Sequence, residues 1–216
     1  MFENFIANIK ENPTILLVTL GLTILAFLFL YFMGGDSIVF FRGKRVKDEP
    51  DAAKKILPDV QRFAGANGYK ILTDVTVTHK GDTGHFDAVV VGAFGILGIN
   101  ACGLGGEIYG SSKEEEWLQV FEGERSHFPN PIDMNVKNMG ILRSALAERG
   151  TRVKDASSLI VFTQKGKKIE LNLSNTLPFA TVDSLRAALD VAKFKADNQT
   201  DIDAVYAAID ELNKSV

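Results

Sequence analysis

Positions 14–33 (TILLVTLGLTILAFLFLYFM) are twenty consecutive residues without a charge, and no other feature constrains this chain as strongly. At ~1.5 Å of rise per residue, a helix of that length is about 30 Å long, the thickness of a bilayer's hydrocarbon core. A buried helix of a soluble domain does not need apolar residues on every face. A secretory leader would carry basic residues ahead of a shorter apolar run and a small-residue cleavage site after it. Here only Lys10 precedes the run, offset by Glu3 and Glu11, and Phe32-Met33-Gly34-Gly35-Asp36 follows it. The basic residues come next, as Arg42, Lys44, Arg45 and Lys47. The positive-inside rule then places the N-terminus outside and the remainder in the cytoplasm. The expected organisation is a short tail over 1–13, a single transmembrane helix over 14–33, a juxtamembrane linker over 34–48 and one folded domain over 49–216. The expected location is the cell membrane, with a single pass.

That domain is long enough for a proper core. Its charge is nearly balanced. The whole chain has 24 Lys plus Arg against 27 Asp plus Glu; removing Lys10, Glu3 and Glu11 leaves 23 against 25, a net of −2. A protein that grips nucleic acid usually presents a basic face that releases counterions, so any nucleic-acid binding is expected to be weak. The juxtamembrane cations read as a topology signal and a contact for anionic lipid. A single cysteine excludes an internal disulfide framework.

Along the domain, Pro50 opens a helix expected to run to Phe63, kinked or split at Pro58 and ended by Gly65 and Gly68. Residues 69–78 alternate as a strand, 80–84 form a turn, 85–91 return, and 94–102 make a third strand. On that third strand Leu97, Ile99 and Ala101 are expected to pack inward, leaving Gly98, Asn100 and Cys102 on the opposite face. Short strands follow at 107–109 and 116–120. Asn130 as N-cap and Pro131 at the first helical position then begin a helix with Val136, Met139, Leu142 and Leu146 on one face, ended by Gly150. Two more strands, at 158–163 and 168–173, precede C-terminal helices over 181–194 and 200–214, with Thr181 and Thr200 as N-caps.

Residues 86–110 (FDAVVVGAFGILGINACGLGGEIYG) carry a family resemblance. Phe86-Asp87, Gly95-Ile96-Leu97, Ile99-Asn100-Ala101-Cys102-Gly103 and Gly106-Glu107-Ile108-Tyr109-Gly110 follow the order and spacing of the active-site hairpin of nuclease-related (NERD) domains. Trp117 and Asn130-Pro131-Ile132-Asp133-Met134 continue the pattern, and the resemblance covers residues 49–190. It implies an α/β fold: after the transmembrane helix, a restriction-endonuclease-like αβββαβ core with C-terminal helices.

The resemblance also implies a chemistry. A Glu-x-Lys strand end presents a carboxylate and an ammonium on one face beside the Asp of the neighbouring strand. In the family this arrangement holds one or two divalent metals that polarise a phosphodiester and activate water. This chain keeps Asp87 but has Asn100 for the glutamate, Cys102 for the lysine and Met134 for a glutamine often counted with the site. Asn100 offers a carbonyl oxygen without charge, and a mostly protonated thiol cannot replace the ammonium. Glu49 or Asp51 is available for the family's first-helix glutamate.

Each of these residues also has a plainer reading. Asp87 caps a turn or pairs with a lysine. Cys102 is a small buried apolar residue. His79, His85 and His127 lack zinc spacing, and residues 103–106 form a flexible turn.

Two functional readings remain open. One is a membrane-anchored module with a degenerate site, without a cofactor, that binds a partner, protein or, weakly, nucleic acid, at the cytoplasmic membrane face. The other is a working nuclease using Mg²⁺ or Mn²⁺ at a migrated site built from Asp87 as metal ligand and Glu107, with Lys113 or Lys80 as the cation.

The basic cluster after the apolar run makes topology testable. A C-terminal tag should survive protease added to intact spheroplasts and be digested only after lysis; digestion without lysis reverses the orientation.

Overall fold

The computed structural model describes residues 21–25, 47–174 and 176–215. Residues 21–25 are α-helical and exposed. The rest of the expected span over 14–33, the tail over 1–13 and the linker up to residue 46 lie outside the described residues. Among the described residues, no helix is long and apolar enough to cross a membrane. The chain divides into two compact units, Met1–Lys44 and Arg45–Val216.

The elements of the second unit run α1 (Ala52–Asn67), β1 (Lys70–His79), β2 (Asp82–Gly92), β3 (Gly95–Cys102), β4 (Gly106–Gly110), β5 (Glu116–Phe121), β6 (Glu124–Pro129), α2 (Pro131–Glu148), β7 (Ala156–Phe162), β8 (Ile169–Leu173), β9 (Phe179–Thr181), α3 (Leu185–Leu189) and α4 (Ile202–Lys214). The strands form two mixed sheets, β1-β2-β3-β7-β9 and β6-β5-β4-β8, in a mixed α/β domain. β1, β2 and β3 are an antiparallel meander, and β7 lies parallel to β3.

Helices cover both faces of the five-stranded sheet. On one face, Ile56, Val60 and Ala64 of α1 pack with Val90, Leu97, Ile99 and Leu185. On the other, Met139, Leu142 and Leu146 of α2 and Val205 and Ile209 of α4 pack with Val75, Phe86, Val89 and Ile96. A third cluster joins Ile108 and Trp117 of the smaller sheet to Ile160 and Phe162 of β7.

Local chemistry accounts for most boundaries. α1 runs unbroken through Pro58 and past Gly65, rather than splitting or ending there. Pro58 and Lys54 both lie on the exposed side of the helix, where a carbonyl without its intrahelical donor costs least, while the buried face continues to Ala64. Gly68, at φ 70°, ends the helix. The first hairpin turn is Lys80-Gly81 alone, both at positive φ, as two-residue hairpin turns require. β2 therefore starts at Asp82, inside the stretch expected to be a loop.

Asn130 caps α2 by accepting from the N–H groups of Ile132 and Asp133. Val136 departs from the expected buried face and is 56% exposed, while Asn135 takes the inward position. The C-terminal helices start later than expected. Thr181 closes β9, α3 is one short turn, and Asp201 rather than Thr200 caps α4 by accepting from the Ala204 N–H. Two adjacent capping residues compete there, and the aspartate also favours the positive end of the helix dipole.

Gly98 is not on an open face. A Cβ there would lie 2.4 Å from Phe86 Cε1 and 2.9 Å from Met139 Cε, because α2 covers that side of β3. Only Asn100, Ala101 and Cys102 are half-buried.

Because every core cluster is internal to the second unit, a chain starting at Arg45 should be soluble without detergent and unfold in one transition. Fluorescence of the buried Trp117 and far-ultraviolet circular dichroism should give coincident curves; aggregation in every detergent-free buffer would exclude autonomous folding.

Candidate functional site

Strands β2 and β3 pair regularly from Gly92↔Gly95 to Ala88↔Ile99. Beyond that pair, two side chains replace the backbone ladder. The Asp87 N–H donates to Asn100 Oδ1 at 2.8 Å, and the Ala101 N–H donates to Asp87 Oδ2 at 2.7 Å. Asn100 Nδ2 also donates to the His85 carbonyl at 2.9 Å, which takes a second bond of 2.9 Å from Asn138 Nδ2 on α2. Asp87 and Asn100 thus close a fork between the strands, each holding the backbone of the other's strand.

The fork coincides with a change of face. Leu72 and Val75 on β1, and Phe86 and Val89 on β2, belong to the same core cluster although each pair is three residues apart. Period-two alternation forbids that in a regular strand, so both strands turn over between these residues, with Asp74 and Asp87 at the turnover. Asp74 sits at φ 53°, a left-handed conformation uncommon outside glycine. Between the two acids stands His85. Its Nε2 lies 3.5 Å from Asp87 Oδ1 and its Nδ1 3.9 Å from Asp74 Oδ1, ion pairs whenever the ring is protonated. Nδ1 is also 3.2 Å from Thr76 Oγ1.

The other candidate positions separate from this cluster. Cys102 ends β3 and packs against the cluster that contains Ile108, Trp117, Ile160 and Phe162. Burial pushes its thiol up to about 11, with Asp48 adding to the push against the hydrogen bond from the Leu104 backbone. It is therefore a protonated, neutral group at physiological pH. Glu107 is on β4 of the second sheet and exposed; Tyr109 donates its hydroxyl to Glu107 Oε2 at 2.5 Å, a bond that raises the phenol above its usual range.

Met134 is 49% exposed and lines an open cavity of about 660 Å³ with His79, Lys80, Thr83 and Asn138. Of the two upstream acids, Asp51 pairs with Lys54 at the surface. Glu49 is turned inward, accepting from Thr163 Oγ1 at 3.2 Å and meeting Lys55 Nζ at 2.6 Å.

A divalent ion of the kind the resemblance implies needs several convergent, negatively charged oxygens. Asp87 Oδ2 and Asn100 Oδ1 already accept backbone N–H groups, and Asp87 Oδ1 faces an imidazole. Among the described residues, no group of three or more His, Cys, Asp or Glu is placed to hold a metal. As arranged, these residues do not fit such an ion.

Sequence reasoning missed Asp74, Asn135 and Asn138. Asn135 is 1% exposed; its Nδ2 donates to the Leu159 carbonyl, while its Oδ1 has no partner among the described residues. The signal for Asn135 and Asn138 was there, since both follow the Asn-Pro helix start by fixed steps along α2. For Asp74 the one hint was the three-residue spacing of Leu72 and Val75.

A family model described as the nuclease-related domain matches residues 51–163, which include every residue of the fork but not Glu49. No curated protein and no solved structure matches the chain.

Replacing Asn100 with alanine removes the partner of the Asp87 N–H while the His85 carbonyl keeps Asn138. The expected cost is about 1–3 kcal/mol, the usual penalty for a buried donor left unpaired, read as a shift in the urea midpoint at constant slope. An unchanged midpoint would mean that the fork does not hold the strands.

Proposed function

This chain belongs to the nuclease-related domain family, and we propose that it keeps the family's fold as a binding module at the cytoplasmic face of the membrane without cleaving nucleic acid. The observation that carries this reading is the fork: the oxygens of Asp87 and Asn100 that would face a metal accept backbone N–H groups instead. Support comes from charge as well. Asn100 brings none, and burial keeps the Cys102 thiol neutral where the resemblance calls for an ammonium. One preorganised electrostatic donor in an active site is commonly worth ~3–4 kcal/mol of transition-state stabilisation, and losses of this kind compound.

The membrane half of the proposal rests on the uncharged run over 14–33 and the four basic residues after it. A single-pass anchor leaves the folded unit beside the bilayer. With a formal net charge of −3, the expected partner is a protein, and nucleic acid a weak ligand at physiological salt.

In the migrated-site reading Glu107, on the smaller sheet, would have to leave Tyr109 for Asp87.

Purified full-length protein incubated with single- and double-stranded DNA and RNA, in Mg²⁺ and separately in Mn²⁺, should give no cleavage above a metal-free control. Cleavage that requires metal and vanishes in Asp87→Ala would overturn the reading, and Glu107→Ala would then separate a migrated site from one centred on Asp87.

A further inference from the structure

Residues 47–49, the last of the linker ahead of α1, run antiparallel to residues 103–105, just past the end of β3. The Glu49 N–H donates to the Gly103 carbonyl at 3.0 Å, and the Gly105 N–H donates to the Lys47 carbonyl at 3.1 Å. Two buried glutamines complete the seam. Gln119 Nε2 donates to the carbonyls of both Lys47 and Gly105 at 2.8 Å, and Gln164 Nε2 donates to the Gly103 carbonyl at 3.1 Å. The approach is close enough to exclude a side chain: a Cβ on Gly103 would lie 2.5 Å from the Glu49 carbonyl oxygen and 2.7 Å from Asp48 Oδ1.

We propose that residues 47–49 are a removable strap that covers the end of β3, so that access to this end of the site depends on whether the strap is seated. The proposal rests on the reading that the β2–β3 fork and the end of β3 form the functional site. The strap's chemistry suits removal. Lys47 and Asp48 are exposed and Glu49 is half-buried; none contributes an apolar side chain to the core, so lifting them breaks polar bonds without opening a hydrophobic cluster. Segments held in this way open at lower free energy than the core strands beside them.

Cys102 is the chain's only cysteine and adjoins Gly103, so its reactivity reports on the strap. Full-length protein is treated with 5,5′-dithiobis(2-nitrobenzoate) at fixed pH, in the parent and two variants. Gly103→Ala pushes on the strap from below. Glu49→Pro deletes the N–H that donates to Gly103, together with the carboxylate that Thr163 and Lys55 hold, and alters no residue of β3. Both should speed labelling about tenfold or more with the near-ultraviolet signal of Trp117 intact. If Gly103→Ala fails to fold, Glu49→Pro decides alone. A Glu49→Pro rate within about twofold of the parent overturns the strap, and so does acceleration that comes only with loss of the Trp117 signal, because the segment would then be integral to the fold. Neither result bears on cleavage, and metal-dependent cleavage by the parent would leave the strap intact.

Discussion

Asp87 and Asn100 each bond to the backbone of the other's strand, and the α2 side of the sheet is arranged around the fork they close. Where β2 leaves β3 the ladder leaves donors and acceptors unpaired, and unpaired backbone groups at a half-buried position cost about as much as a lost hydrogen bond. The carboxylate of Asp87 satisfies the Ala101 N–H in a charge-assisted bond, the stronger kind. The carboxamide of Asn100 does two jobs, accepting from Asp87 and donating to His85. Only a side chain with both an acceptor and a donor can do that. The face change at Asp74 follows from the same event: once β2 turns over to leave β3, β1 must turn with it to stay paired, and the left-handed Asp74 absorbs the turn.

Much of this arrangement was legible in the sequence, in a particular way. The resemblance to the family's hairpin set Asp87 beside position 100 on the adjacent strand, and the structure brings Asp87 and Asn100 together. Their partners were not legible, because both bond to backbone, which no residue type announces. The Asn130-Pro131 start of α2 was readable because a cap and a proline act locally. The inward face of α2 was misread at Val136, because apolar periodicity admits a neighbouring phase and only the sheet it packs on decides between Val136 and Asn135. Pro58 misled for a related reason. Its cost depends on whether the orphaned carbonyl meets water, and that is a property of the helix's placement.

The same distinction separates the candidate site residues. Glu107 stood near the hairpin in sequence, yet the glycine-rich stretch over 103–106 carries the chain to the second sheet, where Glu107 pairs across from Val120 and Glu170. Glu49 and Asp51 looked equivalent around Pro50, but only Glu49 is held inward, by Thr163 and Lys55. Tertiary contacts rather than local pattern sorted these acids.

The neutral amide at position 100 also removes an electrostatic problem. A glutamate there would set a second carboxylate beside Asp87, and two carboxylates in one site require a cation or a shared proton to coexist at neutral pH. A metal supplies that cation where the family's site is intact. Asn100 accepts the same Asp87 N–H without adding charge, and its Nδ2 gives the His85 carbonyl a donor that no carboxylate possesses. His85 then stands beside the remaining carboxylate, with its Nε2 3.5 Å from Asp87 Oδ1. With an amide at position 100 the fork closes through hydrogen bonds among protein groups.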